Sequence, residues 1–208
     1  MKSFDALGLS GELLEAVRQL GFETPTPIQE QSIPILLSGN TDFVGLAQTG
    51  TGKTAAFGLP LVELVNESDH TTQALILAPT RELSVQITAD LEKFSKAVKN
   101  LNIVTVYGGA SISDQIRKVR RGAHIIVATP GRLIDLLSRK VVNLTTIKYV
   151  ILDEDTLKQR PYTTQGRKQT PLQNRDIIKL FDGLTVSESF LLKTNVREFL
   201  FRKPQVSG

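Results

Sequence analysis

Five short apolar runs along the chain predict strands that are buried on both faces. They occupy residues 43–47, 74–78, 103–107, 125–128 and 149–152. Runs of this length without polar alternation are typical of strands that are covered on both sides. Helical patterns between them indicate βαβ units, and therefore an α/β fold with a parallel sheet flanked by helices on both faces. The strand carboxyl ends, where ligands bind, would then share one edge.

Apolar residues at helical spacing predict four helices, over residues 11–20, 27–37, 53–65 and 82–99. The last of these has one apolar stripe, formed by Leu83, Ile87, Leu91, Phe94 and Val98. Pro25 and Pro27 predict an extended turn between the first two helices, because proline disfavours helix at the residue before it.

Charge divides the chain near residue 156. The net charge is +4, but residues 1–156 carry −2 and residues 157–208 carry +6. A basic tail is a common nucleic-acid-binding feature, and a solvated or disordered end is the alternative.

The composition limits the cellular compartment and the kinds of metal site that we expect. The chain has no cysteine, which excludes disulfides and thiolate metal sites and fits a reducing compartment. Its first residues lack the apolar run of a secretion signal, and no stretch approaches the roughly 18 apolar residues that a membrane span needs. We therefore expect a cytoplasmic protein without a membrane partner, and its oligomeric state is not predicted.

A phosphate-binding loop follows the first predicted strand and opens a predicted helix. It consists of Ala47, Gln48, Thr49, Gly50, Thr51, Gly52, Lys53 and Thr54. Its glycines allow backbone N–H groups to turn toward phosphate oxygens, and the helix N-terminus adds its positive dipole end. Lys53 would supply a charge for the β- and γ-phosphates, and Thr54 a hydroxyl for Mg²⁺. Ala47 replaces the glycine of the general pattern, and a glycine-rich turn without function is the alternative.

Two carboxylates directly follow the last apolar run. Asp153 and Glu154 would lie at the carboxyl end of that strand, beside the phosphate loop. Asp153 is predicted to hold Mg²⁺, usually through water, and Glu154 to orient and deprotonate the attacking water. A surface acidic pair is the alternative. Together with the loop, the pair predicts a P-loop ATPase.

Further segments resemble motifs of the DEAD-box RNA helicases. Residues 21–22 and 25–29 resemble the Q motif, and Phe4, 17 residues before Gly21, matches the family's upstream aromatic residue. The resemblance implies that Gln29 reads the adenine edge, that Phe4 stacks on the adenine ring, and that Phe22 belongs to the same ATP site. An amide can both donate to and accept from adenine. The alternatives are a plain helix residue for Gln29 and a core contact for Phe4.

Three segments that follow predicted strands resemble the family's RNA-binding motifs. They are motif Ia at Pro79, Thr80 and Arg81, the GG motif at Gly108 and Gly109, and motif Ib at Thr129, Pro130, Gly131 and Arg132. The resemblance implies contacts with the backbone of single-stranded or duplex RNA. Hydroxyls, loop N–H groups, helix N-termini and arginines are backbone ligands rather than base readers. His70 and His124 match no motif and are expected in a loop and at a strand edge.

The resemblance covers residues 4–154 and ends inside a motif. Where the family has Asp-Glu-Ala-Asp, residues 153–156 read Asp-Glu-Asp-Thr, and no Ser-Ala-Thr motif follows. We therefore divide the chain into a RecA-like ATP-binding domain over residues 1–156, with its Q-motif region at 4–29, and an irregular basic tail over 157–208. We interpret the tail as disordered, or as derived from a frameshift, a truncated gene or a fusion; a native extension is the alternative. Short helices are predicted in it near residues 177–181 and 190–201.

These features predict ATP and RNA binding by the first RecA-like domain of a DEAD-box RNA helicase. The full family activity would be ATP-dependent RNA unwinding. We do not expect it of this chain alone, because the second RecA-like domain and its arginine fingers do not appear in the sequence. A non-catalytic RNA-binding or regulatory module, or a helicase fragment, is the alternative. A P-loop kinase or metabolic ATPase would leave the ordered Q, Ia, GG and Ib segments unexplained.

Overall fold

Strands and helices alternate along the part of the chain that the structure, a computed structural model, describes: residues 3–39, 43–48, 50–98, 100–153 and 198–202. The strands are β1 (Phe43–Leu46), β2 (Ala74–Leu77), β3 (Ile103–Val106), β4 (Ile125–Ala128), β5 (Tyr149–Asp153) and β6 (Glu198–Arg202). The α-helices are α1 (Gly11–Gln19), α2 (Pro27–Ser38), α3 (Lys53–Leu64), α4 (Arg81–Phe94), α5 (Ile112–Arg120) and α6 (Pro130–Ser138). Short 3-10 helices cover Phe4–Leu7, Ser95–Ala97 and Leu144–Thr146.

The described strands form one sheet in the order β1-β6-β5-β2-β4-β3. β2 pairs in parallel with β4 and β5, and β3 pairs in parallel with β4. β6 runs antiparallel to both of its neighbours, β1 and β5. β1 therefore points the same way as the four parallel strands. All five predicted strands are confirmed, and they share one direction as predicted.

Helix ends follow local signals in the sequence. α2 begins at Pro27, whose fixed φ suits the first helical position, and ends at Gly39, which adopts a left-handed φ of 66°. α4 ends at Phe94 and is followed by a 3-10 turn, so the helix predicted over residues 82–99 is too long. The apolar pattern does not identify α5 and α6 individually. Within the described ranges, every helix is too short or too polar to span a bilayer.

Apolar clusters bury both faces of the sheet. Ala74 and Ile76 of β2 belong to one cluster, whereas Leu75 and Leu77 belong to the other, and all four are fully buried. Residues of α1 to α4 pack in the first cluster, and residues of α5 and α6 pack in the second. The helices therefore flank both faces, as the unbroken apolar runs predict.

The tail contributes β6 to the interior of the sheet. Leu200 pairs with Val44 of β1 on one side and with Leu152 of β5 on the other. The helix predicted over residues 190–201 is therefore wrong for residues 198–201, which are extended. A short apolar run fits a helix or a strand, and here pairing with two strands decides the outcome. The predictions for residues 154–197 lie outside the described residues.

The two histidines lie at the end of the sheet opposite the strand carboxyl ends. His70 is an exposed loop residue, and His124 is buried directly before β4, with the two ring centroids 6.2 Å apart. Nδ1 of His124 accepts a hydrogen bond from the backbone N–H of Asn102 at 2.9 Å. Burial lowers the pKa of His124, and the neighbouring His70 acts in the same direction, against the weaker opposite effect of Glu67 and Asp69.

Breaking β6 should destabilise the whole domain. Leu200→Pro removes an N–H donor from a strand that pairs on both sides, where proline is not accommodated. The backbone acceptor left unpaired within the sheet costs about 1–3 kcal/mol, which corresponds to a melting temperature lower by roughly 2–12 °C for a domain of this size. Val206→Pro, beyond the last residue of β6, is the control in thermal unfolding. Equal melting temperatures for the two variants would contradict the place of β6 in the sheet.

The depressed pKa of His124 should make stability fall as the pH drops from 7.5 to 5.5. The unfolded chain binds the proton more readily, so this stabilisation is complete above the ordinary histidine pKa of about 6.5 and is lost progressively below it. We expect His124→Gln to flatten the pH dependence of the unfolding free energy in urea, and His70→Gln to retain most of it. The same slope in wild type and His124→Gln would refute this assignment.

Candidate functional site

Loops that follow the parallel strands meet at one edge of the sheet. The phosphate loop follows β1, and Asp153 is the last residue of β5. The segments that begin at Pro79, Gly108 and Thr129 come just after β2, β3 and β4. Since the strand order is β1-β6-β5-β2-β4-β3, the predicted nucleotide residues occupy one half of the edge and the predicted RNA residues the other. The sequence predicts both groups, and the topology separates them.

The phosphate loop turns through two left-handed glycines into α3. Gly50 has a φ of 83°, and Gly52, which caps the N-terminus of α3, has a φ of 82°. Thr51 Oγ1 donates to the carbonyl of Gln48 at 2.7 Å, which closes the turn on itself. The first N–H groups of α3 have no partners within the helix, so Lys53 and Thr54 stand at an end that favours anions. Ala47 and Gln48 lead into the turn, and Thr49 lies outside the described residues.

Thr26 and Gln29 fix the loop from outside the sheet. Thr26 Oγ1 donates to the carbonyl of Thr51 at 2.9 Å, and Gln29 Nε2 donates to the carbonyl of Gly52 at 3.1 Å. Gln29 Oε1 accepts from the backbone N–H of Thr26 at 3.0 Å. Gln29 is only 4% exposed. The loop carbonyls therefore point toward α2, which leaves the opposite side of the turn to the N–H groups.

Phe4 and Phe22 stack on each other. Their ring centroids are 6.2 Å apart with an interplanar angle of 22°, and Phe22 also contacts the ring of Phe94. Phe4 is buried, and the two phenylalanines line a cavity of about 310 Å³ together with Arg18 and Glu23. The two rings thus lie together, against the ring of Phe94. Their roles at adenine remain predictions.

Asp153 of β5 is level in the sheet with Gly45 of β1, the strand that leads into the phosphate loop. Phe199 of β6 pairs with Gly45 on one side and with Asp153 on the other. Two strand spacings put these backbones roughly 10 Å apart. β6 fills the space between them, so the phosphate loop and Asp153 lie at the same edge of the sheet on strands that are not neighbours. Glu154 lies outside the described residues.

Arg81 and Thr80 connect the start of α4 to β3. Thr80 caps α4, with its Oγ1 accepting from the N–H of Leu83 at 3.2 Å. The guanidinium of Arg81 lies over the ring of Tyr107, 4.7 Å from its centroid. Tyr107 directly precedes Gly108, so the contact links the Ia segment to the GG segment.

Arg132 connects the Ib segment to the GG segment. α6 begins at buried Pro130, and Arg132 in its first turn donates to Gln115 Oε1 at 3.0 Å and to the carbonyl of Ala110 at 3.1 Å. The GG turn, with exposed Gly108 and Gly109, directly precedes Ala110, and Gly131 is exposed beside Arg132. Sequence reasoning missed Tyr107 and Gln115, because neither belongs to a motif and neither has a sequence-local signal.

Comparison with known proteins places these residues in context. A family model described as DEAD/DEAH box helicase matches residues 26–171, which extends past Thr156. The DEAD-box ATP-dependent RNA helicase CshA of Geobacillus kaustophilus is 49% identical over 154 residues, which cover 74% of this chain and 32% of that relative. The pre-mRNA-processing ATP-dependent RNA helicase prp-5 of Neurospora crassa is 49% identical over 203 residues, covering 89% of this chain and 17% of the relative. The latter match is longer than residues 1–156 and therefore includes part of the tail.

A solved structure shows the same fold. A variant of Dbp5 from S. cerevisiae, bound to RNA and ADP BeF3, aligns with a TM-score of 0.65 and 35% identity, covering 77% of this chain and 40% of that chain. The RecA-like α/β fold predicted from the sequence is confirmed. The chain spans about a third or less of the length of the two curated relatives.

Contact with Gln29 should make Gly52 less replaceable than Gly50. Both glycines are left-handed, but a methyl group on Gly52 would overlap Nε2 of Gln29, whereas one on Gly50 meets nothing within 4 Å. Gly50→Ala therefore bears only the backbone strain of about 1–2 kcal/mol, and Gly52→Ala adds about 1–3 kcal/mol of steric overlap. Urea unfolding measures the difference. Equal losses of stability would show that the Gln29 contact does not constrain the loop.

Proposed function

Because the chain belongs to the DEAD/DEAH box helicase family, we propose that it binds ATP at the phosphate loop and RNA along the neighbouring loops. The observation that carries the proposal is the attachment of the loop to α2. Thr26 and Gln29 hold the carbonyls of Thr51 and Gly52, so the N–H groups at the start of α3 are left facing a phosphate site. Both curated relatives are ATP-dependent RNA helicases by name.

Adenine recognition is assigned to the Q-motif side of the loop. Gln29 uses one lone pair of Oε1 and one hydrogen of Nε2 within the protein, which leaves one acceptor and one donor for an adenine edge. Phe4 and Phe22, whose rings stack on each other, would supply an apolar surface for the adenine ring. An amide in this position suits ATP better than GTP.

Magnesium fits the donor set at the boundary between the loop and β5. Thr54 offers a hydroxyl and Asp153 a carboxylate, and hard oxygen ligands are those that Mg²⁺ prefers. Mg²⁺ is usually held by one or two carboxylates plus water and substrate phosphates. Because β6 separates the strand before the loop from β5, we expect water to connect the Asp153 carboxylate to the ion. The bound ion would neutralise phosphate charge, while Lys53 holds the β- and γ-phosphates and Glu154 orients water.

RNA binding is assigned to the β2–β4–β3 half of the edge. The candidate ligands are hydroxyls, N–H groups and arginines at the Ia, GG and Ib segments: Pro79, Thr80, Arg81, Gly108, Gly109, Thr129, Pro130, Gly131 and Arg132. Such groups contact phosphate and sugar rather than base edges. Arg132 donates through two nitrogens to the protein and retains further N–H donors for phosphate. Binding should therefore be independent of RNA sequence and sensitive to salt.

We propose ATP-dependent unwinding only for longer proteins that contain this domain. The chain spans a third or less of the length of the two curated relatives. The sequence has no Ser-Ala-Thr motif after Glu154. We therefore expect nucleotide and RNA binding with little RNA-stimulated phosphate release from this chain by itself.

Replacing Lys53 with Ala should weaken nucleotide binding and spare RNA binding. Removing one charge-assisted hydrogen bond to phosphate corresponds to about 10- to 100-fold in affinity. Titration with a fluorescent ATP analogue and with labelled single-stranded RNA measures both. Lys96→Ala, at an exposed lysine beyond α4, is the control. Unchanged nucleotide affinity in Lys53→Ala would overturn the ATP site. RNA-stimulated phosphate release that disappears in Lys53→Ala would show instead that the chain is catalytic by itself.

A further inference from the structure

Gln115 of α5 makes bonds that a neighbouring strand would make at the open edge of the sheet. β3 has one strand neighbour among the described strands, β4, so its outer side lacks a pairing strand there. At Tyr107, directly after β3, the amide of Gln115 fills that place. Its Oε1 accepts from the backbone N–H of Tyr107 at 3.2 Å, and its Nε2 donates to the carbonyl of the same residue at 3.0 Å. The side chain thus pairs both backbone groups of one residue.

Arg132 extends this pairing across the GG turn. One guanidinium nitrogen donates to Gln115 Oε1 at 3.0 Å, and another donates to the carbonyl of Ala110 at 3.1 Å. Gly108 and Gly109 lie between Tyr107 and Ala110, and Gly109 has a left-handed φ of 83°. The turn is therefore held on one side by Gln115 and on the other by Arg132, which is itself bonded to Gln115.

Only an amide satisfies all of these partners. Oε1 accepts from two N–H donors, and Nε2 donates to a carbonyl. If the amide were turned over, its NH₂ group would face the two donors and its oxygen would face the carbonyl. Glutamate would keep both accepted bonds and lose the donated one, and leucine would lose all three. Gln115 is 6% exposed, so water does not readily replace a missing partner.

We propose that Gln115 is a positioning residue for RNA binding, which holds the GG turn and Arg132 in one fixed arrangement. The inference rests on the proposed RNA-binding function of these segments. Gln115 itself is buried and acts through Tyr107, Ala110 and Arg132. The Arg81 guanidinium over the Tyr107 ring connects the Ia segment to the same residue. Three RNA-binding segments thus share one support.

The test compares Gln115→Leu with Gln73→Leu. Gln73 is also buried and also bonds backbone groups, at Asn66 and Asp69, but it lies before β2 at the opposite end of the sheet. Both variants should lose stability, and only Gln115→Leu should lose RNA affinity. We expect labelled single-stranded RNA to bind Gln115→Leu about tenfold or more weakly than wild type. Affinity for a fluorescent ATP analogue should stay within about twofold, since the phosphate loop is on the other half of the edge.

The salt dependence of RNA affinity is a second measurement, and a general loss of stability would not change it. If Gln115→Leu releases Arg132 and the GG turn from RNA phosphates, the slope of log affinity against log salt should become shallower by about 0.7 for each phosphate that the protein no longer neutralises. Gln115→Glu retains the bonds with Arg132 and the Tyr107 N–H, so its RNA affinity should lie between wild type and Gln115→Leu. If the leucine variant does not bind the ATP analogue, the glutamate variant decides the question in the same assays.

The outcomes separate the inference from the function on which it rests. Wild-type RNA affinity and salt slope in the Gln115 variants would overturn the positioning role and leave RNA binding intact. An equal loss of RNA affinity in Gln73→Leu would also overturn it, because the effect would then be general destabilisation. A wild-type chain that binds the ATP analogue but no RNA would overturn the RNA-binding half of the proposed function and this inference with it.

Discussion

The shared direction of β1, β2, β3, β4 and β5 is the constraint on which the rest of the structure depends. Because these strands point the same way, five loops that are far apart in the sequence end at one edge of the sheet. The strand order then divides that edge. β1 and β5 lead to the phosphate loop and Asp153, whereas β2, β4 and β3 lead to the Ia, Ib and GG segments. The two halves meet where β5 pairs with β2, so nucleotide and RNA ligands would be bound side by side on one rigid support.

A buried glutamine restrains a glycine-containing turn on each half of the sheet edge. The phosphate loop and the GG turn both need left-handed glycines, and such glycines leave a loop poorly restrained. Gln29 accepts from Thr26 and donates to Gly52, and Gln115 accepts from and donates to Tyr107. Gln29 therefore links the phosphate loop to the start of α2, whereas Gln115 holds both backbone groups of the residue before the GG turn. Each amide supplies a donor and an acceptor, which a carboxylate or a hydrocarbon side chain cannot do. Both glutamines are supplied by helices that lie outside the sheet.

The sequence predicts the strands and the phosphate loop well because their signals are local. Unbroken apolar runs at residues 74–78 and 125–128 mark buried strands, and spaced glycines before Lys53 mark the loop. Gln115 and β6 have no comparable signal. The role of Gln115 depends on contacts with residues 8 and 17 positions away, and the strand at Glu198–Arg202 depends on partners in β1 and β5. Phe4 shows a third limit, since the spacing of an aromatic residue does not reveal that its ring stacks on Phe22.

The position of β6 has a consequence for the order in which the domain is assembled. β1 joins the described sheet through β6, although Leu46 and its partner Glu198 are separated by about 150 residues of chain. Closing so long a loop is entropically costly, and such non-local pairings are slow to form. During synthesis, the phosphate loop would leave the ribosome long before the strand that attaches β1 to β5. One of the first functional segments to be translated would therefore be among the last to reach its final place.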